Sequence, residues 1–110
     1  MSRDFALFLE DIVAACDNIL DFTRGMTFDD FQKDIKTIHA VVRNLEVMGE
    51  AVKRLPDDFK AQNKSVEWRA VAGLRDILIH EYFGVNNAVV WDIIINELPS
   101  FRDSVKRLMK

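Results

Sequence analysis

The segment from residue 75 to residue 82 gathers side chains that could carry out acid–base chemistry. Arg75, Asp76, His80 and Tyr82 lie within eight residues, woven through the apolar side chains of a helical pattern. A histidine exchanges a proton near neutral pH, and an arginine presents a planar charged fork to phosphate oxygens. These two supply the minimum for metal-free RNA cleavage. His80 would be the general base or acid, and Arg75 would stabilise the phosphorane.

The spacing of these side chains decides how they could meet. Asp76 and His80 are four residues apart, so on a helix they share one face, and the carboxylate could orient the imidazole. Arg75 and His80 are five residues apart, roughly 140° around the helix axis. Because no single face gathers the set, we expect a groove or a dimer interface rather than a self-contained site.

Each of these side chains also has an ordinary structural explanation. Arg75 could pair with an acid on a neighbouring helix, His80 could interact with carbonyls near the helix end, and Tyr82 could anchor an interface. Spacing alone favours this structural explanation. His39 is interpreted as a helix-flank residue, and Cys16 as a small buried hydrophobe.

Length and composition indicate one ordinary helical domain, residues 1–110. The chain has 110 residues with 4 Gly and 2 Pro, a net charge of −3 and a single cysteine. One cysteine cannot form an internal disulfide, and we find neither a signal pattern nor a membrane span, so we expect a cytoplasmic protein. The negative charge argues against a passive electrostatic binder of nucleic acid, but not against an enzyme with a local cationic site. No cluster has metal-ligand spacing, so we expect no metal and no cofactor.

Apolar periodicity predicts the first two helices. The first runs from about Arg3 to Arg24 and ends at Gly25, where a left-handed residue is often required. The second starts after Thr27 and continues to Pro56 as one helix of about 27 residues. Residues 56–64, "PDDFKAQNK", are predicted to be a polar connection.

The remaining segments predict helices that carry the motif and follow it. Ser65 caps "VEWRAVAGLRDILIHEYF", which Gly84 ends, and Asn87 caps "AVVWDIIINEL". Pro99 either begins a separate last helix or kinks a continuous one, and we favour a kinked or closely abutting arrangement. The predicted fold is all-α, an antiparallel four-helix bundle with this kink or short extra helix at the C-terminus. Its surplus of apolar side chains predicts a two-fold homodimer.

The sequence "RDILIHEY" resembles the Arg-x4-His-x-Tyr pattern of the HEPN domains in HepT-like toxins, which pair with a minimal nucleotidyltransferase (MNT) antitoxin. The likeness extends to "AVVRNLEVMGEAVKRLP", to "VEWRAVAGLRDILIHEYFGVN" and to "VWDIIINELPSF". It therefore covers most of residues 40–101, with these segments in the family's order. Such an ordered set is much more specific than the short motif alone.

The resemblance implies a dimeric four-helix bundle whose two motifs line a cleft at the interface. It implies a metal-independent ribonuclease with Arg75 and His80 as the catalytic pair and Asp76 as a supporting polar residue. Glu50, from "GEA", is expected to line the same cleft, although it could equally be a polar flank of the second helix. The resemblance also implies that the MNT partner silences the toxin, by transferring AMP to Tyr82, by complex formation, or by both.

Two other functions stay open. HEPN domains include members that bind nucleotides or partners without cleaving RNA, so this chain could be a non-catalytic module working with a nucleotidyltransferase. A plain helical dimer with a structural role is the third hypothesis. The intact Arg75, His80 and Tyr82 positions favour the ribonuclease.

Overall fold

The computed structural model of the chain describes residues 3–69, 71 and 86–109, with the side chains of residue 6 onward in those ranges. Every regular element among these residues is a helix, which confirms the all-α prediction for this part of the chain. The elements are α1 (Arg3–Phe22), α2 (Phe28–Lys33), α3 (Ile35–Arg54), α4 (Asp57–Gln62), α5 (Asn87–Asp92), a π-helical turn (Ile93–Glu97) and α6 (Leu98–Arg107).

Helix α1 buries one apolar face, as predicted, and ends at Phe22, two residues before the predicted end at Arg24, with Gly25 in the turn that follows. Its fully buried side chains recur at steps of three and four residues: Leu9, Ile12, Cys16 and Ile19. Gly25 has φ +77°, and no atom lies within 4 Å of a Cβ built there. The positive φ, rather than a lack of space, therefore favours glycine at this position.

The predicted long second helix is wrong, because the chain forms two helices that meet at Asp34. Thr27 begins α2 with a capping box: its Oγ1 accepts from the Asp30 N–H and the Asp30 carboxylate accepts from the Thr27 N–H, both at 3.1 Å. Asp34 has φ −104° and ψ 90°, outside the helical region. Its carboxylate accepts from the Thr37 N–H at 3.1 Å and so begins α3. An aspartate side chain that competes for backbone N–H groups interrupts a helix without interrupting its apolar periodicity.

The polar connection predicted after Pro56 contains the short helix α4. Asp57 and Asp58 occupy its first turn and Lys60 its last, which suits the helix dipole. The Lys60 ammonium also donates to the Val52 carbonyl at 3.3 Å and ties α4 back to α3. The sequence did not predict this helix, because six mostly polar residues bury too little apolar surface to show a helical period.

The helix predicted to begin just after Ser65 starts later than expected. Ser65 lies in a turn, and the first helical residue is Trp68. The predicted third helix otherwise falls largely on residue 70 and residues 72–85, which are outside the described residues.

Helices α5 and α6 follow each other without a break, which confirms the prediction that the C-terminal helices closely abut. The cap of α5 is Asn86 rather than Asn87: its side chain accepts from the Ala88 N–H at 2.7 Å. Before Pro99 the helix widens into the π-helical turn, where the Leu98 N–H donates to the Ile93 carbonyl. Proline lacks an N–H and its ring clashes with the carbonyl four residues earlier, and a local π adjustment accommodates both effects.

Helices α1 and α3 pack antiparallel at the centre of the core. Asn18 Nδ2 donates to Asn44 Oδ1 at 3.2 Å, whereas Phe8, nearer the start of α1, shares a groove with Glu50, nearer the end of α3. Helix α6 packs on α1, and α2 packs on both α3 and α5. The four-helix bundle and the two-fold dimer stay predictions. No helix within residues 3–69, 71 and 86–109 has the length and hydrophobicity of a membrane span.

Candidate functional site

The motif residues Arg75, Asp76, His80 and Tyr82 lie outside the described residues, so no geometry is stated for them. The flanks of the motif segment are described on both sides: Trp68, Arg69 and Val71 come before it, and α5 comes after it. The anchoring of these flanks is what the fold contributes to the site.

Trp68 fixes the chain before the motif segment. Its side chain is buried, and the indole N–H donates to the Asn63 carbonyl at 3.0 Å. Its ring meets Phe101 of α6 edge-on, with centroids 6.2 Å apart and an interplanar angle of 85°. The Phe59 ring of α4 lies 6.1 Å away. A residue held by one hydrogen bond and two aromatic contacts gives the segment a fixed starting point.

Trp91 fixes the chain after the motif segment. Its ring lies 5.2 Å from Phe31 and 6.4 Å from Phe28, so it joins α5 to α2. Val90 beside it is buried in the core. Both ends of the motif segment are therefore attached to the same hydrophobic core.

The two flanks also line one cavity of about 750 Å³. Val71 lines it from the segment before the motif, and Val89 and Ile93 line it from the segment after the motif. Its polar lining consists of hydroxyl, amide and charged side chains: Ser65, Glu67, Arg69, Asn96, Glu97, Ser100 and Ser104. The chain thus enters and leaves the motif segment at one cavity.

Glu50 lies on α3 with its side chain 43% exposed. It accepts from Arg54 Nε at 3.2 Å and lines a groove of about 390 Å³ between α1 and α3. Asp11 and Arg43 line the same groove. The sequence pattern assigned no role to Arg43, although its spacing of seven residues from both Lys36 and Glu50 was an available signal. The expectation that Glu50 shares a cleft with Arg75 and His80 stays a prediction.

Cys16 has the properties of a buried structural thiol, as predicted. It is 0% exposed, and its Sγ donates to Met48 Sδ at 3.3 Å. Burial raises the pKa of the thiol to about 12, the negative charge of Asp17 adds to the rise, and Arg102 opposes it. Because the thiolate is the nucleophilic form, Cys16 is not a candidate for covalent catalysis.

His39 lies exposed on α3, which fits its interpretation as a helix-flank residue. Among the residues with described side chains, no group of three or more histidine, cysteine, aspartate or glutamate residues is placed to hold a metal ion.

Comparison with known proteins identifies a family and several close relatives. The family model described as ribonuclease HepT-like matches residues 12–108. A "Putative RNase" of Methanocaldococcus jannaschii is 49% identical over 98% of this chain and 89% of its own length. A "Probable ribonuclease HepT" of Thermococcus cleftensis is 44% identical over 100% of both chains. A "Putative RNase" of Caldanaerobacter subterraneus is 43% identical over 94% of this chain and 92% of its own. No solved structure matches the chain.

Proposed function

We propose that this chain, which belongs to the HepT-like ribonuclease family, is a metal-independent endoribonuclease that acts as the toxin of a two-component toxin–antitoxin system. The observation that carries the proposal is the family match over residues 12–108, which spans the whole motif. Within that match, Arg75, His80 and Tyr82 all occupy the positions of the Arg-x4-His-x-Tyr pattern. The ribonuclease names of the similar proteins support the same reaction class.

The proposed reaction needs only side chains of this chain. His80 removes the proton from a ribose 2′-hydroxyl, and the 2′-oxygen attacks the adjacent phosphorus. The bond from phosphorus to the 5′-oxygen breaks, and this oxygen takes the proton that His80 accepted, giving a cyclic phosphate and a 5′-hydroxyl end. Arg75 stabilises the extra negative charge of the phosphorane, and Asp76 orients the imidazole. Glu50 is proposed to line the same cleft, which two copies of the chain would form.

The proposed regulator is an MNT-type nucleotidyltransferase antitoxin. The Tyr82 phenolic oxygen would attack the α-phosphate of ATP in the partner's site, forming an O-AMP bond and releasing pyrophosphate. The added phosphate brings negative charge next to Arg75 and His80, where it would compete with an RNA phosphate. Complex formation alone is the other proposed route of inhibition, and it requires no covalent change.

Cleavage of an end-labelled RNA in the presence of EDTA tests the ribonuclease proposal. The wild-type protein should cleave, and Arg75→Ala and His80→Ala should each lower the rate by about 100-fold or more, since general acid–base groups and charge stabilisers contribute on this scale. Arg107→Ala is the matched control, because it removes an exposed arginine from the last turn of α6.

Equal cleavage by the wild type and both motif variants would contradict the proposal. Binding of nucleotide or of the partner without RNA turnover would also contradict it, and would support the non-catalytic module. Circular dichroism of each variant separates a lost catalytic group from a lost fold.

A further inference from the structure

The solvent face of α3 carries cations in its first half. Lys36 and Arg43 are both exposed, on the side of the helix opposite the buried Leu45. Arg43 comes seven positions after Lys36, so the two residues lie about 20° apart around the helix axis and about 10 Å apart along it. Lys33 at the end of α2 is exposed as well and comes three residues before Lys36. Lys36 and Arg43 therefore form a row of two positive charges along one face of α3.

Lys36 and Arg43 are available to a ligand, because neither forms an ion pair with any residue that the structure describes. Arg24, Arg54, Lys60 and Arg102 pair with carboxylates at 4 Å or less, whereas Lys33, Lys64, Lys106 and Arg107, like Lys36 and Arg43, form no ion pair with a described residue. Asp34 is the acidic neighbour of Lys36: its carboxylate caps α3, and its charge also interacts with that of Lys36. Arg43 shares its groove with Asp11 and Glu46, so the cationic row ends there.

Lys36 interacts unfavourably with the dipole of α3 and favourably with the Asp34 carboxylate, whose pKa its charge helps to lower. Lys36 is the second residue of the helix, where the positive end of the dipole disfavours a cation. Helices α2 and α4 both carry two aspartates in their first turns, whereas α3 carries no acid there.

We infer that Lys36 and Arg43 form a phosphate-binding face for single-stranded RNA. This inference rests on the proposed function, in which RNA is the substrate. The distance of about 10 Å between them along the helix is short enough for phosphates of one RNA strand to reach both cations. The guanidinium of Arg43 can bind a phosphate through two hydrogen bonds, and Lys36 acts as a point charge. The chain as a whole carries a net charge of −3, so attraction of RNA must come from a local row of cations.

A pair of double variants tests the assignment: Lys36→Gln with Arg43→Gln, and Lys106→Gln with Arg107→Gln as the control. Both pairs remove one lysine and one arginine, and the control residues are exposed in the last turn of α6. In a His80→Ala background, which leaves the RNA intact, fluorescence anisotropy of a labelled oligonucleotide is followed against salt. Two lost phosphate contacts should reduce the slope of log K against log salt by about 1.4 and weaken binding by up to about 25-fold at 0.1 M salt.

The kinetic counterpart uses chains that retain His80. The α3 pair should raise KM for RNA with kcat little changed, and the control pair should alter neither. Equal salt slopes for the two pairs, or no RNA binding by the parent protein, would overturn the assignment. A lower affinity that accompanies a changed molar mass in light scattering would also overturn it and would assign the face to contact between proteins. Absent cleavage by the wild type would refute the proposed ribonuclease, while the binding measurement still decides the role of α3.

Discussion

At the scale of single residues, burial and partners separate structural groups from chemical ones. Cys16 has a nucleophilic atom, but its full burial against Met48 and its raised pKa of about 12 leave it in the thiol form. Arg43 has an ordinary charged side chain, but exposure and the lack of an ion pair to any described residue make it available to a ligand. From residue type alone, Cys16 would have been a stronger candidate for a chemical role than Arg43.

Tyr82 carries the prediction at this scale. Incubation with a nucleotidyltransferase partner and ATP should add mass in steps of one AMP, because a phenolic oxygen can attack the α-phosphate. Tyr82→Phe should abolish the gain, since the ring remains and only the accepting oxygen is lost. Intact-protein mass spectrometry measures the mass gain of the wild type and of Tyr82→Phe. Ribonuclease activity of Tyr82→Phe, measured without the partner, checks whether the substitution itself impairs cleavage. A gain that persists in Tyr82→Phe would assign the modification to another residue.

At the scale of elements, caps set the helix boundaries. Thr27 and Asp34 each bind a backbone N–H three residues ahead, and together they divide what the apolar period presents as one helix. Pro99 has the opposite effect, because the π-helical turn keeps α5 and α6 continuous. Side-chain and backbone hydrogen bonding, rather than periodicity, decided both outcomes.

Replacement of Asp34 tests this conclusion. The pKa of Asp34 lies below its ordinary value of 3.8, chiefly because its carboxylate accepts from the Thr37 N–H, with smaller contributions that include the charge of Lys36. A lowered folded-state pKa contributes stability that is present above the ordinary value and is lost as the pH falls through the folded value. Asp34→Ala should therefore lower the melting temperature by roughly 5 °C at pH 7.

The pH dependence gives this prediction its control. The difference between wild type and Asp34→Ala should shrink below about pH 4, where the carboxylate becomes protonated. Asp34→Asn keeps a capping oxygen but has no titratable group. The difference in melting temperature between Asp34→Asn and Asp34→Ala should therefore not depend on pH in this way. A wild-type-to-alanine difference that is independent of pH would show that the charged cap does not stabilise α3.

At the scale of the whole molecule, one ion pair joins distant parts of the chain. Arg102 Nε donates to Asp17 Oδ1 at 2.8 Å, and its NH2 group lies 3.4 Å from the other oxygen. Asp103 also accepts from the same guanidinium, at 3.2 Å. These contacts raise the pKa of Arg102, with the bond to Asp17 the largest cause. The pair aligns α6 against α1 at the surface of the core.

The predicted homodimer is tested at this scale. If two copies build the active cleft, light scattering should give twice the chain mass of 12.7 kDa, and specific activity on RNA should fall when dilution separates the copies. A monomer with undiminished specific activity would exclude a shared site.

Much of this protein could be predicted from local sequence. The periods of three and four residues place the buried faces of α1 and α3, and Gly25 marks the turn that follows α1. The Arg-x4-His-x-Tyr spacing and the ordered segments around it indicated the family to which the chain belongs. These features depend on residues close together in the chain, so the sequence by itself determined them.

Only the tertiary structure decided which distant residues meet. Trp68 against Phe101, Trp91 against Phe31, and Asp17 against Arg102 are contacts between helices that no local pattern specifies. The same holds for the cationic face of α3, since exposure and the absence of ion pairs to described residues depend on every neighbouring element.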